Sequence, residues 1–214
     1  MRLVLIRHAH SQHSQHGLIA DLRGCTGLTD VGVQQAHVLA NRLHISAEWQ
    51  ECAVVLASPV RRACQTAGIL AHSLSRQPLR EDADLRELLP GAADGMSWAD
   101  YQARYGLFDP VAEPDRPFAP GGETWNGFLT RVQTTLHRLA AQYHGQTIVV
   151  VSHAGFIVAS LLVLFAIPRP GTDARFEPRH TSITVWERAA DSWCLERYND
   201  TWHLDQEQLL KRAG

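Results

Sequence analysis

The chain opens on a short apolar run, Leu3 to Ile6, that stops at Arg7-His8, and strand-like and helix-like periods then alternate. Leu3 to Arg7 reads as a strand, Asp30 to Leu43 as a helix, Ala53 to Ala57 as a strand and Arg61 to Leu74 as a helix. The second half repeats the rhythm with a helix over Trp125 to Tyr143, a strand from Ile148, a helix over Phe156 to Phe165, and two edge strands at Ser182 to Glu187 and Trp193 to Tyr198. Such alternation predicts an α/β fold, a three-layer sandwich in which helices flank a mostly parallel mixed sheet. Between Pro90 and Gly122 the sequence turns rich in Pro, Gly and Asp, with a helical stretch at Trp98 to Tyr105. This excursion, at about residues 90–122, is expected to cap the site within a single domain spanning 1–214. No repeat or linker composition divides the chain.

Residues 148–167 contain no Asp, Glu, Lys or Arg over twenty positions, long enough for a membrane span. The internal order argues against one: a β-branched run, Ile148 to Val151, meets the polar and small Ser152-His153-Ala154-Gly155 before the apolar stretch resumes. A strand, a turn and a buried helix follow more naturally. With 214 residues, 45% of them hydrophobic and 20% charged, the chain can bury a substantial core. Its formal net charge of -2 creates no broad field for nucleic acid or anionic membrane, so neither is expected as a partner. The four cysteines are widely spaced, without a C-x-x-C pair, and fit a cytoplasmic setting.

Ligands of open α/β sheets bind beyond the carboxyl ends of the strands. Three such ends carry chemistry here: Arg7-His8, Ser58 to Arg62, and Ser152-His153. If those strands are parallel neighbours, arginines and histidines converge in one small cationic pocket. A guanidinium binds two phosphoryl oxygens through parallel hydrogen bonds, and each such ion pair is worth roughly 4 kcal/mol at about 4 Å with an effective dielectric near 20, before desolvation. Arginines can therefore carry the charge of a phosphate monoester without a metal or other cofactor. A neutral histidine can act as the in-line nucleophile.

These residues resemble the histidine phosphatase superfamily, the phosphoglycerate mutase-like proteins. LIRHAHS is similar to the family's R-H-G signature; Ser58, Arg62, Ala63, Gln65, Thr66 and Ala67 fit S-x-x-x-R-A-x-Q-T-A; Leu85-Arg86-Glu87 with Gly91 fits the proton-donor segment; and Val151 to Gly155 resembles the second-histidine motif. LTDVGVQQA, PGGET, HTSIT and YNDTWHL extend the likeness over nearly the whole chain. The resemblance implies a metal-independent phosphomonoester hydrolase. His8 would take the phosphoryl group, Glu87 would protonate the leaving oxygen, and Arg7, Arg62 and His153 would hold the phosphoryl oxygens with Ala154. Ala9 replaces the usual glycine, and Ser14 stands where many members have asparagine, offering a hydroxyl to the phosphate. Residues 15–28 depart from the family loop, leaving Arg23 and Thr26 as further candidates for substrate contact.

His8, His10, His13 and His16 form a cluster that suits zinc or nickel by residue type, but no C-x-x-C or H-E-x-x-H accompanies it, and an exposed loop without a metal site is preferred. The short span from Gly91 to Pro120 resembles broad-specificity phosphatases more than cofactor-dependent mutases. A mutase-type phosphotransferase and a non-catalytic phospho-ligand binding module are the alternatives. The cap supplies Trp98, Tyr101, Tyr105 and Phe108 as apolar surface and Arg104 as a second anion contact, which leaves open which small phosphorylated substrate is used. Terminal edge strands are compatible with a monomer or a homodimer.

Overall fold

Both faces of the first strand are apolar because both are covered. Leu3 and Leu5 enter one core, Val4 and Ile6 the other, which makes the run continuous rather than alternating. The computed structural model describes residues 1–74, 79–167, 174–190 and 192–205. Its strands are β1 (Arg2–Arg7), β2 (Val54–Ala57), β3 (Leu79–Glu81), β4 (Thr147–Ser152), β5 (Ile183–Ala189) and β6 (Ser192–Asp200). Its helices are α1 (Gln12–His16), α2 (Asp30–Ser46), α3 (Arg61–Ala71), α4 (Trp98–Tyr105), α5 (Trp125–Gln142) and α6 (Ala154–Leu164).

The sheet runs β3-β2-β4-β1-β5-β6. Strand β4 pairs in parallel with β1 on one side and β2 on the other, so the carboxyl ends of all three lie at one edge. Helices α5 and α6 pack through Phe128, Val132, Leu136, Phe156 and Ile157 against one face, and α2 and α3 through Leu39, Leu43, Ala63 and Leu70 against the other. Each fully buried aliphatic side chain contributes about 1.5–3 kcal/mol of transfer free energy, so these two layers dominate the stability. The suspected span resolves into β4, a polar turn and α6, and among the described residues no helix is long and apolar enough to cross a membrane.

One element differs from expectation. The strand expected at an edge over Ser182 to Glu187 is interior: β5 lies antiparallel between β1 and β6, and its first four residues are buried. Periodicity reported a strand but not its neighbours. Strand β3, three exposed residues, and α1, five polar residues, carry no apolar period and went unread.

Local chemistry sets the element starts. Thr29 caps α2, its hydroxyl accepting from the Gly32 amide at 3.0 Å, and a Cβ at Gly32 would stand 1.9 Å from the His10 carbonyl oxygen. Only glycine lets α2 begin against the backbone of the His8 loop. Ser97 caps α4 in the same way. The excursion builds its own small core from Ile19, Ala93, Tyr101, Phe118 and Ala119. It is fastened to the loop after α1 by Asp94, whose carboxylate accepts from the amides of Asp21, Arg23 and Gly24 at 2.8–2.9 Å.

Candidate active site

Beyond the parallel strand ends, the expected convergence occurs. Arg62, on the first turn of α3 and 2% exposed, donates from Nε to His8 Nε2 at 3.0 Å. It also donates from Nη1 to the Ala20 carbonyl at 2.8 Å and from Nη2 to His153 Nδ1 at 2.9 Å. A guanidinium has no acceptor, so both ring nitrogens facing it must offer lone pairs. The ring protons then sit on the far sides. His8 Nδ1–H donates to the Ala9 carbonyl at 2.8 Å, and His153 Nε2–H donates to Ser58 Oγ at 2.8 Å. The tautomers follow from the network, and His8 Nε2 is left as an oriented, unprotonated nitrogen.

The motif residues around these two rings have distinct tasks. Thr66 Oγ1 accepts from the Ala9 amide at 3.1 Å, and Gln65 Oε1 from the Leu28 amide at 2.8 Å. Ser152 Oγ donates to the Leu85 carbonyl at 2.7 Å, tying the end of β4 to the segment that bears Glu87. Glu87 accepts from the Gly155 amide at 2.8 Å through Oε2 and from the Leu88 amide at 3.1 Å through Oε1. Arg131 of α5 holds that segment from behind. It forms a two-pronged pair with Glu123 at 2.9 and 2.8 Å while donating to the carbonyls of Asp84, Arg86 and Glu87.

Gly155 is glycine for a reason of space: a Cβ there would fall 2.0 Å from Glu87 Oε1. Gly155→Ala is expected to push the carboxylate off its two amides. Turnover of alkyl phosphates should fall about tenfold or more, with a smaller loss on p-nitrophenyl phosphate, as steady-state rates on the two ester types would report. Equal losses would contradict a positioning role.

Arg7 extends the cationic wall. Its Nη1 donates to the Pro178 carbonyl at 2.5 Å and its Nη2 to His180 Nε2 at 3.0 Å, while its buried Nε has no protein partner. His180 is held there by Thr181, whose amide donates to the Arg7 carbonyl at 3.0 Å. Thr181 adopts φ 58°, a strained conformation for a β-branched residue.

Burial, reinforced by Arg62, pushes the pKa values of His8 and His153 well below the ordinary histidine value, and holds both rings neutral. Burial, again before the arginines, takes His13 and His180 down to about 3. Once unfolded, these rings titrate near 6.5. The native state therefore refuses protons that the unfolded chain accepts below about pH 6.5: the stabilisation is complete above that value and is lost on acidification. The melting temperature should fall steadily between about pH 6.5 and 5, and a flat profile would contradict neutral burial.

A cavity of about 490 Å³ opens over this centre, lined by Arg7, His8, Arg62, Glu87 and Ala154 and roofed by the cap. Other expected contacts lie elsewhere. Ser14 Oγ faces Ser11 Oγ at 3.1 Å, Arg23 bonds the Asp94 carbonyl, Thr26 is exposed, and Arg104 is exposed over the Tyr105 ring; none of the four lines the cavity. The histidine cluster is not one exposed loop. His16 is exposed, but His10 bonds Thr29, and His13 lines the cavity with its ring centroid 5.9 Å from that of His8. His13, His180, Glu123 and Arg131 were missed as site residues. HTSIT and PGGET were the signals for His180 and Glu123.

Residues 3–201 match the description of the histidine phosphatase superfamily, branch 1. The chain is 29% identical over 189 residues to phosphoglycerate mutase-like protein 4 of Arabidopsis thaliana, covering 86% of this chain and 79% of that one. It is 25% identical over 215 residues to a metal-independent phosphoserine phosphatase of the same plant, covering 99% and 86%. Among solved structures, phosphoserine phosphatase of Entamoeba histolytica in complex with 3-phosphoglyceric acid superposes with a TM-score of 0.79 at 25% identity, over 95% of this chain and 98% of that one. This chain belongs to the histidine phosphatase superfamily.

Proposed function

We propose that the protein is a metal-independent phosphomonoester hydrolase that works through a phosphohistidine on His8, within a single domain capped by residues 90–122. The observation that carries this reading is the fixed tautomer of His8: Nδ1–H is held on the Ala9 carbonyl, so Nε2 keeps a lone pair, which accepts from Arg62, on a ring that lines the cavity with Arg7 and Arg62. Phosphatases among its relatives support the reaction class.

In the first step the phosphorus–Nε2 bond forms as the phosphorus–oxygen bond to the leaving group breaks. Arg62 exchanges its bond to the His8 lone pair for the phosphoryl oxygens, joined by the unpartnered Nε of Arg7, while His153, whose Nδ1 accepts from Arg62 Nη2, holds that guanidinium in place rather than contacting the oxygens itself. Glu87, protonated, gives its proton to the departing alkoxide. In the second step Glu87 takes a proton from water as that water attacks phosphorus, which breaks the phosphorus–nitrogen bond and releases phosphate.

Fixed guanidiniums occupy the role a divalent cation would fill, so phosphate release from a panel of phosphomonoesters should persist in EDTA at its original rate. Loss of activity on chelation, restored by a divalent metal, would overturn metal independence.

A further inference from the structure

The cavity has two ends of unlike chemistry. Among the described residues, the charged side chains that line it are Arg7, Arg62 and Glu87, at the phosphoryl end. His8 and His13 stand with them, and the remaining described wall is apolar, formed mostly by Leu18, Leu88, Trp98, Phe108, Phe118 and Trp125. The aromatic part is rigid: Phe118 stacks on Tyr101 at 4.4 Å between ring centroids, and Phe108 and Trp98 meet Phe118 edge-on at 5.0 and 5.9 Å. Trp98 nevertheless leaves 47% of its surface exposed, although it lines the cavity.

Charged groups near this wall are already engaged. Arg86 pairs with Asp21, Arg131 with Glu123, and Arg116 with Glu113 and the carbonyls of Leu107 and Tyr105. Asp94 is saturated by backbone amides. A carboxylate or ammonium seated against the apolar wall would lose water there and find, among the described residues, no partner of opposite charge beyond Arg7, Arg62 and Glu87, which phosphoryl transfer itself engages. A ring would lose only apolar surface and gain stacking partners.

We propose that the natural leaving group is an uncharged alcohol carrying an apolar or aromatic ring system, seated against Trp98, Phe108 and Phe118. Amino-acid and carboxylic-acid phosphates, such as phosphoserine and phosphoglycerate, are disfavoured. This assignment rests on the hydrolase reading of the same site. The volume of about 490 Å³ is in the range of pockets that enclose ring-sized ligands.

The test compares kcat/KM of the full chain on phenethyl phosphate, O-phospho-L-serine and 3-phosphoglycerate, all alkyl esters, so that leaving-group reactivity does not favour the aromatic one. Phenethyl phosphate should be preferred by about a hundredfold. Trp98→Ala, and independently Phe108→Ala, should lower that ratio about tenfold, with melting temperature monitored to confirm folding. Equal or greater activity on either charged ester, or an unchanged ratio in both folded variants, would overturn the leaving-group assignment while the hydrolase reading stands. Silence on all three and on p-nitrophenyl phosphate would overturn the hydrolase reading, and this assignment with it.

Discussion

His8→Ala should lower phosphate release by at least about 10⁴-fold on every ester, good leaving groups included. Among the described residues lining the pocket, His8 is the one whose ring nitrogen is bonded to the Arg62 guanidinium. Arg62 would keep its bonds to Ala20 and His153, so the phosphoryl site survives, and the variant should still bind phosphate. The substitution leaves the Ala9 carbonyl without its donor, which costs about 1–3 kcal/mol as a buried unsatisfied group, but it also removes a buried ring that resists protonation. A folded protein is therefore expected, with a near-wild-type circular dichroism spectrum. Turnover retained in folded His8→Ala would rule out the phosphohistidine route.

Glu87→Ala should separate substrates by leaving group. Alkyl phosphates depart as strongly basic alkoxides and need a proton, so their rate should fall about 10³-fold, whereas p-nitrophenyl phosphate should lose about tenfold or less. Alanine is the cleaner replacement. Both carboxylate oxygens accept backbone amides, from Gly155 and Leu88, and glutamine would turn an NH₂ group against one of those donors. Equal losses on both classes would deny Glu87 the role of acid. The Arg131–Glu123 clamp behind it predicts the same signature, in weaker form, for variants that loosen the clamp without touching the substrate.

Much of the fold could be read from period and composition. Helix α4 spans the Trp98 to Tyr105 stretch expected within the excursion, and β4, turn and α6 emerged from the β-branched run, the Ser-His-Ala-Gly interruption and the renewed apolar stretch. The convergence of His8, Arg62 and His153 was legible for the same reason: residues just beyond parallel strand ends must meet if the strands are neighbours.

What escaped depends on pairing across distance, which periodicity does not encode. The Arg7 bond to the Pro178 carbonyl and its contact with His180 cross more than 170 residues, and β5 became an interior strand through its partners, not its composition. His13 looked like one of several loop histidines because a five-residue polar helix has no apolar stripe to reveal which side faces the cavity. Arg104 was a reasonable anion contact on composition alone. The cap instead turns it outward over Tyr105 and leaves the cavity wall apolar.

The most direct test is rapid quenching of the protein with a phosphomonoester, followed by intact-mass and peptide analysis under alkaline conditions that preserve phosphohistidine. The account predicts one phosphoryl group per chain, on His8 Nε2, labile to acid and absent from His8→Ala. A catalytically competent protein that never carries that group, or carries it on another residue, would contradict it.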